Sequence, residues 1–232
     1  MTIEICADSY ETALIARKYN AKRIELCSAL TVGGLTPSYG LMQQCADISD
    51  IEVHAMIRHC QGGFVLQNAD VSIMLKDIEA AAEAGVNGVV LGCITDSKKV
   101  DRQNLKTLVQ MAQNNGLEVT FHRAFDLIDQ PLEAIDVLVD LGVHRILTSG
   151  QKPTAIEGRA IIKEMVAYSA QRIQLMAGSG VSAKNALELA KTGVDALHFT
   201  AHKPSDESVE FEMGIRNVPD IQKIEAITAL FA

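Results

Sequence analysis

Eight short apolar runs, spaced almost evenly along the chain, constrain this sequence more than any other feature. They are Ile3–Cys6, Arg23–Cys27, Glu52–Ile57, Gly88–Leu91, Glu118–His122, Arg145–Thr148, Ile173–Ala177 and Ala196–Thr200, and successive starts lie 20 to 36 residues apart. Amphipathic helical patterns fill the gaps: one opens after Ser9, and others span Asp70–Ala84, Asp101–Asn115, Pro131–Leu141, Pro153–Ala170 and Ser182–Lys191. Strands alternating with helices specify an α/β fold with a parallel sheet. Eight units in 232 residues predict a minimal (β/α)8 TIM barrel in a single domain. The alternative is a doubly wound open sheet, which usually has a glycine-rich first turn. Here that turn is Cys6-Ala7-Asp8-Ser9, without glycine.

The helix-to-strand junctions repeat. Ala84-Gly85-Val86, Leu141-Gly142-Val143 and Thr192-Gly193-Val194 place a glycine where a helix ends and the backbone turns left-handed. Asn20 is expected to do the same after the first helix. Pro37, Pro131 and Pro153 stand where helices are expected to begin. From Lys203 to Asn217 the chain reads as irregular and polar, and a last helix is expected near Ile221–Phe231.

Composition narrows the function. The chain carries 21 Lys and Arg against 29 Asp and Glu, a net charge of −8, which argues against a general nucleic-acid or anionic-membrane binder. No basic stretch leads into an apolar run at the start, so no secretory leader is read there. Five cysteines without a CxxC spacing point to reduced thiols in the cytoplasm rather than a disulfide set or a zinc ribbon.

Strand parity sorts the side chains. Ile3, Ile5, Ile24, Leu26, Val119 and Phe121 share the apolar, helix-facing side. The opposite parity points inward and is unusually polar: Glu4 and Cys6, Glu25 and Cys27, His54, Met56 and Arg58, Thr120 and His122, Gln174 and Met176, His198 and Thr200. A barrel filled for packing alone would use Val, Ile and Leu in those layers. Buried carboxylates need partners, so Glu4 and Glu25 are expected to meet Arg58, His54, His122 or His198. The polar interior reads either as a structural network or as a site at the C-terminal mouth. His144 and His59 are expected to be solvated, and Cys45 and Cys93 to be packing residues.

Several strings are specific: Arg23-Ile24-Glu25-Leu26-Cys27 with Gly33-Gly34-Leu35-Thr36-Pro37-Ser38, Met56-Ile57-Arg58 with Gly62-Gly63-Phe64, Val119 to Asp126, Leu147 to Lys152, and Met176 to Val181. Together they resemble the CutC family of copper homeostasis proteins, from about Ile3 to Ala201, with residues 203–232 as a C-terminal extension. The resemblance implies a TIM barrel, cytoplasmic copper handling and Cu(I) binding, with Cys6 and Cys27 at the positions of the metal ligands. The chain departs from the family in the loop after Arg58, where His59-Cys60-Gln61 replaces the usual Pro-Arg, and in Thr200, where the family tends to have Ser.

Three chemical expectations follow. Cys6 and Cys27 end neighbouring strands with the same parity, and two thiolates suit Cu(I). Gly178-Ser179-Gly180 stands between the seventh strand and its helix, a place where backbone N–H groups hold anions. Alternatively, Glu25, Arg58 and His122 form the catalytic set of an aldolase- or isomerase-like barrel acting on a small phosphorylated or carboxylated substrate, with Arg123 as a second anion holder and Lys152 as a remote Schiff-base candidate. No nucleotide cofactor, nucleic acid or membrane partner is expected. A homo-oligomer, and the role of Cys60, stay open.

Overall fold

The computed structural model describes residues 1–205 and 217–231. Eight parallel strands close on themselves in sequence order. They are β1 (Thr2–Ala7), β2 (Arg23–Leu26), β3 (Glu52–Met56), β4 (Gly88–Leu91), β5 (Glu118–Phe121), β6 (Arg145–Thr148), β7 (Gln174–Gly178) and β8 (Ala196–Thr200). Closure is the pairing of β1 with both β2 and β8, with Glu4 opposite Arg23 on one side and His198 on the other. Each predicted run therefore becomes a barrel strand, within a residue or so at its ends.

The helices around the barrel are α1 (Tyr10–Lys18), α2 (Tyr39–Ala46), α3 (Asn68–Glu83), α4 (Arg102–Asn114), α5 (Pro131–Asp140), α6 (Arg159–Ser169), α7 (Ala186–Ala190) and α8 (Ile221–Thr228). Their starts follow local chemistry. The side chains of Ser9, Ser38 and Asp101 accept N–H bonds from the first turns of α1, α2 and α4. Asn20 adopts the left-handed conformation after α1, as expected.

Four expectations are corrected. α6 begins at Arg159, not Pro153, because residues 153–158 form turns over the end of β6. α7 is five residues long and begins at Ala186, because Asn185 turns back to accept from the Ser182 N–H and to donate to the Gly180 carbonyl. Of the three prolines, Pro131 alone opens a helix, whereas Pro37 precedes the Ser38 cap and Pro153 lies six residues ahead of α6. Lys203 and Asn217 are not irregular: β9 (His202–Pro204) pairs antiparallel with β10 (Asn217–Pro219). The rest of that expectation, residues 206–216, lies outside the described residues.

The core is layered as parity requires. The outward side chains of the strands, such as Ile5, Ile24, Val53, Val119 and Phe121, form one buried cluster with the helix faces. Inside the barrel the apolar groups are few: Cys6, Cys27, Met56 and Val90 form one small cluster, and Leu147, Met176 and Ala196 another. The remaining interior is polar, and it positions the site.

Candidate functional site

The lower barrel interior holds two arginine ion-pair networks and one buried histidine. Arg23, 3% exposed, donates from Nε to Glu4 and from Nη1 to Glu52 at 3.4 Å. Arg145 donates to Glu118, Thr120 and Gln174, each at 2.9 Å. These two arginines carry inward parity, yet the sequence reading did not place them inside. His54 lies fully buried between Glu52 and Glu118, with neither ring nitrogen hydrogen-bonded among the described residues. Burial holds its pKa down at about 3, so it is a neutral ring.

The upper interior is built on Glu4. Its second oxygen accepts from His198 Nδ1 at 2.7 Å, while His198 Nε2 stands 3.7 Å from Glu25. Glu4 and Glu25 thus share His198, one of the expected partners. Arg23 takes the role expected of Arg58, His54 or His122. Burial opposes the His198 imidazolium, but Glu25, Cys6 and Glu4 together overcome it and raise the pKa well above 6.5. Burial also opposes the Glu4 carboxylate, but the His198 hydrogen bond and Arg23 hold it well below the ordinary range. Glu25 is raised, chiefly by burial, with the neighbouring Cys6 and Glu4 adding to the effect.

Cys6 pairs in register with Glu25, and Cys27 follows β2 directly. The Cys27 thiol donates to Glu25 Oε2 at 3.6 Å. Ligand atoms of Cys6, Glu25 and Cys27 all lie within 4.8 Å of one another, as do those of Glu4, Glu25 and His198. Among the described residues these are the groups compact enough to share an ion. His122 belongs to neither. The two thiols are driven apart: the neighbouring Cys27 brings the Cys6 pKa down to about 5, and Cys27 is pushed up in return. Gly34 closes over Cys27, since a Cβ there would stand 3.1 Å from its Sγ.

Above this floor opens a cavity of about 640 Å³. Glu25, Arg58 and His122, the predicted catalytic set, all line it, together with Cys6, His198 and Arg123. Leu30, Val32, Phe64 and Leu127 supply an apolar rim. Arg58 does not meet a glutamate. Its Nη1 donates to the Val32 and Gly34 carbonyls at 2.9 and 3.0 Å, and its Nη2 to the Gly62 carbonyl at 2.8 Å, so it ties the loops after β2 and β3 together. His122 Nδ1 accepts the Ala124 N–H at 3.2 Å, and burial lowers its pKa to about 4, leaving a neutral ring against Phe64. Arg123 is held by Asp126 at 2.8 Å and Ser149 at 2.9 Å. Asp126, not singled out from the sequence, also accepts from Thr148, Ser149 and Gln151 and so shapes the loop after β6.

The predicted anion residues lie elsewhere. None of Gly178, Ser179 and Gly180 lines this cavity. Gly178 gives space, because a Cβ there would stand 2.6 Å from Leu147 Cδ1. Ser179 donates to the Pro153 carbonyl at 2.8 Å, and no helix begins at Ser182. Cys45 and Cys93 are fully buried, as expected of packing residues. His144 is exposed but accepts the Val119 N–H at 3.0 Å. His59 is not simply solvated, for its Nε2 pairs with Asp70 at 2.9 Å, and the exposed Cys60 lies 3.6 Å from the same nitrogen. Lys152 is exposed on the β6–α6 loop, outside the cavity lining.

Comparison with known proteins agrees with this architecture. Residues 1–203 match the CutC family. The family protein CutC of Pasteurella multocida (strain Pm70) is 44% identical over 201 residues, covering 86% of this chain and 82% of the relative. Its counterpart from Glaesserella parasuis serovar 5 is 41% identical over 238 residues, covering 98% and 97%. The crystal structure of CutC from Streptococcus agalactiae, a protein named for copper homeostasis, superposes with a TM-score of 0.81 at 36% identity, covering 86% of this chain and 98% of that one.

Proposed function

The chain belongs to the CutC family, and from that premise we propose that it acts in copper homeostasis in the cytoplasm by binding Cu(I) between Cys6 and Cys27. One observation carries the reading: the Cys6 and Cys27 sulfurs and a Glu25 oxygen stand within 4.8 Å of one another, with Cys6 and Glu25 lining an open cavity and Cys27 fully buried beside them. Soft thiolates select Cu(I). Two sulfurs on opposite sides of an ion, each at about 2.3 Å, need a separation of about 4.6 Å. Small side-chain adjustments around the present spacing supply that. Glu25 stands beside both sulfurs and is the group placed to take up the proton the ion displaces. Because both ligands must be deprotonated, affinity falls as pH falls.

The test is an anaerobic Cu(I) titration against a chromophoric Cu(I) chelator under reducing conditions. One equivalent of tight binding is expected for the wild type. Cys6→Ser and Cys27→Ser are each expected to lose most of it, since one thiolate leaves the ion under-coordinated, and the double variant to lose all of it. A double variant binding as well as the wild type would assign copper to the exposed Cys60 and refute the reading.

A further inference from the structure

The cavity above the thiol pair has a chemistry that an ion alone does not explain. Its volume is about 640 Å³, within the ordinary range for sites that enclose small organic molecules. Its upper wall is apolar, formed by Leu30, Val32, Phe64 and Leu127. Its charged lining is basic in balance, on a chain whose net charge is −8. Glu25 faces His198, and Asp126 faces Arg123. That leaves Arg58.

Arg58 is unlike the other arginines. Among the described residues Arg17, Arg23, Arg102, Arg123, Arg145, Arg159 and Arg172 each reach a carboxylate. Arg58 reaches none. Its three hydrogen bonds go to neutral carbonyls and hold the guanidinium in place without neutralising it. A guanidinium has five N–H donors, so two are left over, and one of them, on Nε, is buried with no acceptor. The guanidinium charge has no carboxylate partner, and an anion in the cavity that Arg58 lines is the simplest partner for it. The flat Phe64 ring lies 5.2 Å from the guanidinium carbon, so the cationic group borders the apolar wall directly.

We propose that the mouth of this barrel is a binding site for a small organic anion, a carboxylate or phosphate monoester whose head group meets Arg58 and whose apolar body lies against Phe64, Val32 and Leu127. The site goes beyond the copper reading and does not depend on it. Cys6 lines the floor with the buried Cys27 beside it, and the anion occupies the space above.

The experiment uses metal-free protein, so a failure of copper binding and a failure of anion binding are separate results. Benzoate, phenyl phosphate and benzyl alcohol are titrated while ¹⁵N–¹H spectra are recorded. At least one anion is expected to bind and shift the amides of Arg58, His122 and Arg123, about tenfold or more tighter than benzyl alcohol. The tighter of the two anions identifies the head group. Leu127 is 50% exposed on the rim, so Leu127→Glu is expected to fold. The new like charge should weaken the anion by about tenfold, and benzyl alcohol, which loses only an apolar contact, by clearly less. Arg58→Gln should do the same, and if that change disorders the rim loops, the Leu127→Glu result decides. Equal binding of benzyl alcohol, anion shifts absent or confined to other surfaces, or anion affinity indifferent to Leu127→Glu would each overturn the proposal.

Discussion

His122 and His198 stand in the wall of one cavity and are driven in opposite directions. His122 has no anion beside it, so burial keeps it neutral in the folded chain down to about pH 4, while the unfolded chain protonates near the ordinary value of 6.5. The unfolded state therefore binds more protons in that window, and folding stability falls as pH drops from 6.5 to about 4. The slope reaches at most one proton, about 1.4 kcal/mol per pH unit. His198 has the reverse sign: its raised pKa adds stability that is present below 6.5 and lost as pH rises through the folded value. Urea unfolding across the acid window should give His122→Gln a limb shallower by one proton; parallel slopes would show that His122 is charged in the fold. Glu4 is the other decisive residue. Glu4→Leu leaves Arg23 and His198 buried without their carboxylate and should cost about 3–5 kcal/mol by denaturant unfolding. A loss under about 1 kcal/mol would mean that the interior charges relax into solvent. The inward placement of Glu4, Glu25, Cys6 and Cys27 was legible, because a period of two fixes it once the strands are found. The same parity also places Arg23 inside, a signal that was present and unused. Arg58's attachment to loop carbonyls was not legible, because it depends on the paths of two loops that no short-range pattern specifies.

At the level of elements, the strands were easier to read than the helices between them. Apolar runs of four to six residues announce barrel strands wherever they occur, and all eight did so. The expected helix over Pro153–Ala170 lost its first turns to a tertiary contact. Gly158, just before α6, packs so closely on the end of β6 that a Cβ would stand 2.0 Å from the Ser149 carbonyl oxygen. Asp126, from the preceding unit, fixes Ser149 from the other side. Neither contact is written in the local sequence. Gly158→Ala should therefore destabilise by more than the ordinary glycine-to-alanine preference would suggest, by about 1–3 kcal/mol, with a lowered thermal midpoint. A neutral or stabilising result would show that the loop shifts freely. By contrast, Ser9→Ala removes a side chain that accepts from the Thr12 N–H, and should cost about 1 kcal/mol. That difference separates a cap, which is local, from a packed junction, which is not.

For the molecule as a whole, the barrel brings residues from opposite ends of the chain to one floor. Cys6 and Glu25 come from the first two strands and His198 from the last, and only closure of β8 on β1 unites them. This is why spacing alone could not rank Glu25, Arg58 and His122 against the two cysteines: the three line one cavity with Cys6, Cys27 is buried beside them, and their chemistry divides by depth. Sulfur and carboxylate lie at the floor, and guanidinium and apolar groups at the rim. Copper at the cysteine pair would be read by X-ray absorption at the copper edge. The sample is a Cys60→Ser chain loaded anaerobically with one equivalent of Cu(I), which removes the exposed thiol and leaves the Cys6–Cys27 pair beside the cavity. The expected result is a first shell of two sulfur scatterers that disappears in Cys6→Ser. A first shell of nitrogen and oxygen alone, or a sulfur shell unchanged by Cys6→Ser, would contradict it.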